Sequence, residues 1–466
     1  MPICSRNFLY AMVPMCGSVI FGSTIVFGSA TLNDLKKEFY PLSTFQISAF
    51  QSLPALLSIF GPYLWNFLLS KFSLRTVTSS VGIFGIASWL LLLLMSKKLF
   101  WFAIIVRGLD GVVLAGVCTV CPLFANLLAT EGNHGLFGSV HPVGIAIGYV
   151  LFSLIGVCHR WQFQIYGSIV FLLALGCLVW TIPESAIRKS PTSKNPNSRK
   201  NDQENSIEDE LMNKNENLNN DNDEQNSNTN TNTNTQEDSQ NELEDINDSI
   251  FDKKYRKQLI ISMIMMFCAQ FSGTGSIIQN TSPLLSEVGL SIDSGYQASI
   301  ALSAQLFMLL IGSILMDRFG GQTMWIASSI GTTISLLIYA LNVRFSWSKW
   351  IPMIALFGYQ LSFGAGLASV PWYILPEPYP IHLKRTAQSI GTSMNWLSAS
   401  IMMFLFPYLQ LWLGQFGVML LLMGINILVL LFGIFFVRDR NMEKKKEEKE
   451  GAGLNEILIV NGSTEL

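Results

Sequence analysis

Long apolar runs are the feature of this 466-residue sequence that most restricts its fold. About twelve runs are each long enough for a helix, which rises 1.5 Å per residue, to cross about 30 Å of hydrocarbon. They lack the alternation of barrel strands, so helices must satisfy the backbone in lipid. The sequence therefore predicts an all-α membrane protein with twelve transmembrane helices. The predicted spans are 8–30, 45–69, 76–96, 99–128, 136–158, 162–182, 258–280, 297–316, 323–343, 350–375, 386–412 and 416–437.

The basic residues indicate which side of the membrane each loop faces. An even number of spans puts both termini on one side, and the loops of that side hold most of the Lys and Arg residues. Because cytoplasmic loops are enriched in these residues, both termini are predicted to be cytoplasmic. We expect a multi-pass protein of the plasma membrane, with an internal membrane as the alternative.

A polar segment divides the chain in two. Residues 189–254 are rich in Asn, Asp, Glu, Gln, Ser and Thr, and such a composition buries too little apolar area to offset its chain entropy. We expect a disordered cytoplasmic tether, with regulation through the segment as the alternative. The predicted units are a six-helix half at 1–188, the linker at 189–254, a second six-helix half at 255–437 and a cytoplasmic tail at 438–466. In such a plan a polar path between the halves can open to either side in turn.

Composition and motifs exclude several classes of function. Charged residues are 13% of the chain and the net charge is −2, which gives no basis for nucleic-acid binding. The four histidines lack metal-ligand spacing, the odd number of cysteines in apolar runs is no disulfide framework, and no P-loop, nucleophile motif or catalytic carboxylate pair is found. We predict a transporter rather than an enzyme, without metal or cofactor, working as a monomer in the lipid bilayer on a small neutral solute.

Two charged residues lie inside the fourth predicted span. Arg107 and Asp110 are three residues apart, so they share a helix face and can neutralise each other. Each charge would otherwise cost about 2.5–3.5 kcal/mol on insertion scales. One interpretation is an ion pair that fixes the helix. The other is a coupling or gating pair, in which protonation of Asp110 frees Arg107 for another partner.

Amide side chains cluster in the spans of the second half, at Gln270, Gln279, Asn280, Gln305 and Asn395. Amides both donate and accept hydrogen bonds, which suits an uncharged ligand covered in hydroxyls. Hydrogen bonds between helices are the alternative role for each of them.

The tenth predicted span contains the segment FGAGLASVPW at 363–372, in which Gly364, Gly366 and Pro371 should break the helix. A broken helix at membrane depth is tolerated where it lines a cavity or is buried in protein. Trp372 follows the break, where it would stack on the apolar face of a sugar or pack at an interface.

These residues together resemble the sugar porter family of the major facilitator superfamily. The segment PWYILPEPYPIHLKRTAQSIGTSMNWLS at 371–398 is similar to that family's tenth-to-eleventh helix region, QFSGTG at 270–275 to its seventh helix, and DRFG at 317–320 to a conserved turn. The resemblance implies the major facilitator fold and transport of a sugar. It implies that the sugar contacts Gln270, Gln305, Trp372 and Phe363, with Asn395 and Trp396 near the cavity.

The resemblance also implies a cytoplasmic charge network that holds the outward-open state shut on the inside. Its members would be Glu184, Asp317, Arg318, Glu377, Lys384 and, by substitution, His134. An ordinary solvated loop face is the alternative for these charges.

Several positions depart from the family pattern. Pro142 follows His141 where the family has a sugar-binding Gln, and Gln279 and Asn280 replace a tyrosine pair that resembles an outer gate. The resemblance therefore implies a hexose or another neutral polyol. Thr24 stands where proton-coupled members carry an Asp, which favours passive transport.

The leading hypothesis is a facilitative carrier for a hexose or similar neutral polyol. The alternatives are a proton symporter that uses Asp110 and Arg107, a carrier for a nucleoside or inositol, and a nutrient sensor that binds without transporting.

Overall fold

A computed structural model of the chain describes residues 6–39, 41–129, 134–183 and 249–437, and within these ranges the protein is helical. The linker up to residue 248, the tail from residue 438 and Glu184 lie outside the described residues, as do the side chains of His134 and Asp317. The first half contains α1 (Arg6–Glu38), α2 (Thr44–Ser58), α3 (Gly61–Lys71), α4 (Leu74–Leu92), α5 (Phe100–Leu128), α6 (His134–Gly156) and α7 (Trp161–Leu178). The second half contains α8 (Lys253–Phe271), α9 (Thr274–Ser286), α10 (Ser294–Phe319), α11 (Gly321–Phe345), α12 (Ile351–Ala365), α13 (Val370–Ile374) and α14 (Ile381–Phe436).

The helices account for the twelve predicted spans. Ten helical segments in the described ranges are long and apolar enough to cross a membrane, and the bent pair α2–α3 makes an eleventh. One of these ten segments contains α14, although Gly414 interrupts that helix with φ 64° and ψ 176°. A backbone with positive φ is open to glycine at little cost, so the chain turns at Gly414 and re-enters the membrane as a twelfth span.

Two spans of the second half are interrupted at membrane depth. Gly273, at φ 100°, separates α8 from α9. The break predicted in the tenth span is confirmed, and it lies at 366–369, between α12 and α13. Gly364 is still helical, whereas Pro371 lies in the first turn of α13, where the backbone N–H that proline lacks would have no partner within the helix.

Each half has its own apolar core. Phe27 and Trp89 lie in the core of the first half, and Trp325 and Tyr359 in that of the second. A further cluster joins the halves, with side chains from α1, α2, α5 and α6 packed against others from α9, α10 and α14. The two halves therefore meet along a shared seam.

The outer surface of the bundle is apolar. Ile83, Ile105, Val170, Leu428 and Phe435 are each more than 60% exposed. An apolar surface of this extent is stable against lipid and unfavourable in water. This agrees with a multi-pass membrane protein.

Candidate functional site

A cavity of about 1590 Å³ lies between the two halves. It extends to the end of the bundle that carries Lys71, Arg75 and Arg385, called the basic end below. Pockets that enclose a small ligand are usually about 300–1,000 Å³. The larger volume is that of a binding region joined to an open vestibule.

Six of the eight residues predicted to contact the solute line this cavity. They all come from the second half, where α8 ends near the break at Gly273 and α13 begins after the break at 366–369. These residues are Gln270, Gln305, Phe363, Trp372, Asn395 and Trp396.

The amides and one indole offer hydrogen-bonding groups to the cavity. Gln270 Nε2 donates to Asn395 Oδ1 at 3.0 Å. Gln305 Oε1 and Trp396 Nε1 are buried, with no hydrogen-bond partner among the described residues. A buried group left unpaired costs about 1–3 kcal/mol, so a ligand hydroxyl that bonded to either atom would remove an existing penalty.

Aromatic rings form part of the same wall. Trp372 is 37% exposed, so its ring is open to a ligand. Trp396 is buried, and its ring lies 5.7 Å from that of Phe21 in the opposite half. Phe363 stacks on Tyr359 at 6.4 Å. A sugar has apolar C–H faces as well as hydroxyls, and a wall of rings and amides complements both.

The cavity wall contains no Asp or Glu among the described residues that line it. Its basic side chains Lys71, Arg75 and Arg385 lie at the basic end, away from the amides and tryptophans. A cationic ligand would have no counter-charge beside those amides. The arrangement favours an uncharged ligand.

The opposite end of the bundle is closed by contacts between the halves, and Gln279 and Asn280 lie there rather than on the cavity wall. Gln51 Nε2 donates to Asn280 Oδ1 at 3.1 Å, and Gln279 Nε2 donates to the carbonyl of Gln51 at 3.1 Å. The backbone N–H of Ser282 donates to Ser29 Oγ at 2.9 Å. The two amides therefore tie α9 to α2, and Ser282 ties it to α1.

His159 adds a second layer of contacts at the closed end. Its Nε2 lies 2.8 Å from Asp293 Oδ2 in the second half, and its Nδ1 lies 3.5 Å from Asp34 Oδ1 in the first. The backbone of His159 has φ 50°, which is uncommon for a residue other than glycine. Sequence reasoning missed this group, because neither the positive φ nor the approach of two carboxylates from distant spans is visible in a chain read alone.

Glu287 lies at the same end, directly after α9. Burial raises the pKa of the Glu287 carboxyl, and the charge of Lys36 opposes that rise in part. The closed end thus carries both acidic and basic groups.

Arg107 and Asp110 form an ion pair at 3.0 Å, with 1% and 0% of their side chains exposed. Ser88 Oγ donates to Asp110 Oδ1 at 2.6 Å, and Arg107 Nη2 donates to the carbonyl of Thr24 at 2.8 Å. The guanidinium also lies over the ring of Phe27 at 4.9 Å. The pair is sealed inside the first half and does not line the cavity.

The predicted charge network is only partly within the described structure. Arg318 and Lys384 are exposed and Glu377 is half-buried, while Glu184 and the side chains of His134 and Asp317 fall outside. Arg318 lies over the ring of Phe319 at 5.5 Å. The network remains a prediction.

Comparisons with known proteins identify the family of this chain. A family model described as "Sugar (and other) transporter" matches residues 11–444. "Sugar transporter ERD6-like 8" of Arabidopsis thaliana is 25% identical over 469 residues, covering 97% of this chain and 92% of the relative. "Facilitated trehalose transporter Tret1" of Apis mellifera ligustica is 25% identical over 224 residues, covering 46% of this chain and 44% of that one.

Solved structures show the same fold. The crystal structure of a D-xylose-proton symporter superposes with a TM-score of 0.71 at 17% identity, covering 93% of this chain and 99% of that one. The inward-open xylose transporter XylE from E. coli superposes with a TM-score of 0.69 at 17% identity, covering 93% and 97%.

Proposed function

The chain belongs to the sugar (and other) transporter family and is a sugar transporter with the major facilitator fold; we propose that it carries a hexose or similar neutral polyol passively by alternating access. The observation that supports this most directly is the cavity between the halves. Its wall of amides and aromatic rings, without a carboxylate among the described lining residues, suits a neutral ligand rich in hydroxyls. The cavity reaches the basic end of the bundle and does not reach the closed end.

The positive-inside rule orients the protein. The basic end, with Lys71, Arg75 and Arg385, faces the cytoplasm, as do both termini. The present conformation is then inward-open, and the contacts around Gln51 and His159 form the closed extracellular gate. We place the protein in the plasma membrane as a monomer.

Transport requires the two ends to open in turn. Outward opening would break the bonds of Gln51 to Gln279 and Asn280, together with the link from His159 to Asp293. The cytoplasmic charges would then close the inner end, as the family resemblance implies. That network would comprise Glu184, Asp317, Arg318, Glu377, Lys384 and His134.

Passive transport fits the titratable groups of the first half. Thr24 offers no proton-accepting group, and its hydroxyl donates to the carbonyl of Ile20 at 2.9 Å. Asp110 is already satisfied by Arg107 and Ser88, and it has no contact with the cavity. A symporter would require Asp110 to be protonated and Arg107 to move during each cycle.

Uptake by the purified protein in proteoliposomes tests the proposal. Labelled D-glucose would enter, and unlabelled sugars, polyols and nucleosides would compete in an order that identifies the ligand class. Trp372→Ala should lower uptake about tenfold, about 1.4 kcal/mol, because it removes the apolar contact between the indole ring and a C–H face of the sugar. Trp412→Ala is the matched control, since Trp412 is 67% exposed and does not line the cavity.

Two outcomes would contradict the proposal. Binding of a solute without any flux would make the protein a sensor. Equal loss of uptake in the Trp372 and Trp412 variants would show that the cavity wall does not hold the sugar.

A further inference from the structure

A second and much smaller cavity, called the gate cavity below, lies between the two halves at the closed end. Its volume is about 20 Å³, which is enough for one particle of the size of a water molecule. The first half contributes the ends of α1 and α6 to its wall, and the second half contributes the end of α9 and the start of α10. Because both halves build the wall, opening the outer gate takes the gate cavity apart.

Oxygen atoms are the main polar groups of the gate cavity. Two carboxylates line it, Asp34 from the first half and Asp293 from the second, and no Lys or Arg does so among the described residues. Hard cations are bound in proteins by oxygen ligands of this kind. The other polar side chains of the wall, apart from the imidazole of His159, are those of Ser29, Asn33, Ser153, Ser282 and Ser294.

Ser153 indicates that the gate cavity takes a ligand. Its side chain is 1% exposed, and its Oγ has no hydrogen-bond partner among the described residues. A hydroxyl buried without a partner is unfavourable, so a ligand that bound to it would remove a penalty. Ser153 lies in the last turn of α6, where the negative end of the helix dipole favours a cation.

The charge of Asp34 is the less compensated of the two. Asp293 Oδ1 accepts a hydrogen bond from the backbone N–H of Gly295 at 2.8 Å, and its Oδ2 lies 2.8 Å from His159 Nε2. Asp34 has one ion-pair contact in the described structure, of 3.5 Å from Oδ1 to His159 Nδ1. Lys37 acts on Asp34 through its charge, but it is exposed and does not line the gate cavity. Asp34 is therefore the carboxylate that can bind a cation there.

We propose that the gate cavity binds one Na⁺ from the external solution, with Asp34 and Ser153 among its ligands, and that the bound ion holds the outer gate closed. One available carboxylate among hydroxyls suits a monovalent cation, whereas Ca²⁺ takes six to eight oxygen ligands, with several carboxylates. Na⁺ is smaller than K⁺ and suits the small volume. A ligand that binds only one conformation shifts the equilibrium toward it. The effect on transport rests on the proposed function: Na⁺ is not carried, but it slows outward opening.

Thermal unfolding of the purified full chain in detergent tests the site without any sugar. At fixed pH and an ionic strength of about 0.15 M, NaCl should raise the unfolding midpoint by about 1–3 °C relative to KCl and to choline chloride. Asp34→Asn removes the charged ligand and should abolish this difference, and Ser153→Ala should reduce it. Glu287→Gln is the matched control, because it removes a carboxylate at the same end that does not line the gate cavity, and it should keep the full difference.

Ser153→Ala keeps the proposal testable should Asp34→Asn not fold. The hydroxyl that it removes has no partner among the described residues, so this variant should be as stable as wild type in KCl. Equal midpoints of the wild-type protein in all three salts would overturn the proposal, because no Na⁺ would then be bound. An undiminished Na⁺ effect in either variant would overturn it as well, because the ion would then bind elsewhere.

Uptake of labelled D-glucose into proteoliposomes measures the consequence for transport. With KCl inside, the initial rate should be about two- to fivefold lower with NaCl outside than with KCl outside, because the ion stabilises the closed gate by the factor 1 + [Na⁺]/Kd. Ser153→Ala should reduce this ratio. Equal rates in the two salts, with a Na⁺ effect on unfolding, would refute the role of the ion at the gate. Absence of uptake in every salt would refute the proposed function, while the unfolding data would still decide whether Na⁺ binds.

Discussion

At the scale of single residues, the sequence predicted the two buried charges but not the other groups that contact them. The spacing of Arg107 and Asp110 predicts an ion pair, and the structure forms it. The further bonds from Ser88 and to the carbonyl of Thr24 join different helices. Such partners depend on how the spans pack, which a single chain does not reveal.

Asp110→Asn should destabilise the protein by about 3–5 kcal/mol, because it leaves the buried guanidinium of Arg107 without its counter-charge. Thermal unfolding of the purified protein in detergent would measure this. Ser88→Ala is the matched control: it keeps both charges and should cost about 1.5–3 kcal/mol, the range for a hydrogen bond to a charged group. An Asp110→Asn protein as stable as wild type would show that the pair is not structural.

Gln305→Leu should weaken sugar competition about tenfold while leaving stability unchanged or higher. The amide oxygen is buried and has no hydrogen-bond partner among the described residues. Its removal therefore relieves a free-energy penalty in the sugar-free protein and removes a contact with the sugar in the complex. Gln360→Leu is the control. Both polar atoms of Gln360 are likewise buried and unpaired in the described structure, but it does not line the cavity. An equal effect of both variants on sugar competition would contradict the assignment of Gln305.

At the scale of elements, the sequence was informative about where helices break. Glycine and proline between 364 and 371 predict the interruption of the tenth span, and the structure places it at 366–369. The gate at the other end was not predictable. From the sequence alone, Gln279 and Asn280 fit a solute site and a gate equally well. Only their hydrogen bonds with Gln51 assign them to the closed end of this conformation.

At the scale of the whole molecule, the all-helical membrane fold followed from run length, because lipid leaves the backbone no alternative to helix. The conformational state did not follow, because contacts such as that of Gln51 with Asn280 join spans that are far apart in the sequence.

The central claim, passive alternating access for a neutral sugar, is tested most directly by the final level of labelled D-glucose in proteoliposomes with and without an imposed pH gradient. The internal concentration should reach the external one in both cases. Accumulation above the external concentration that depends on the gradient and is lost in Asp110→Asn would contradict the claim and establish a symporter.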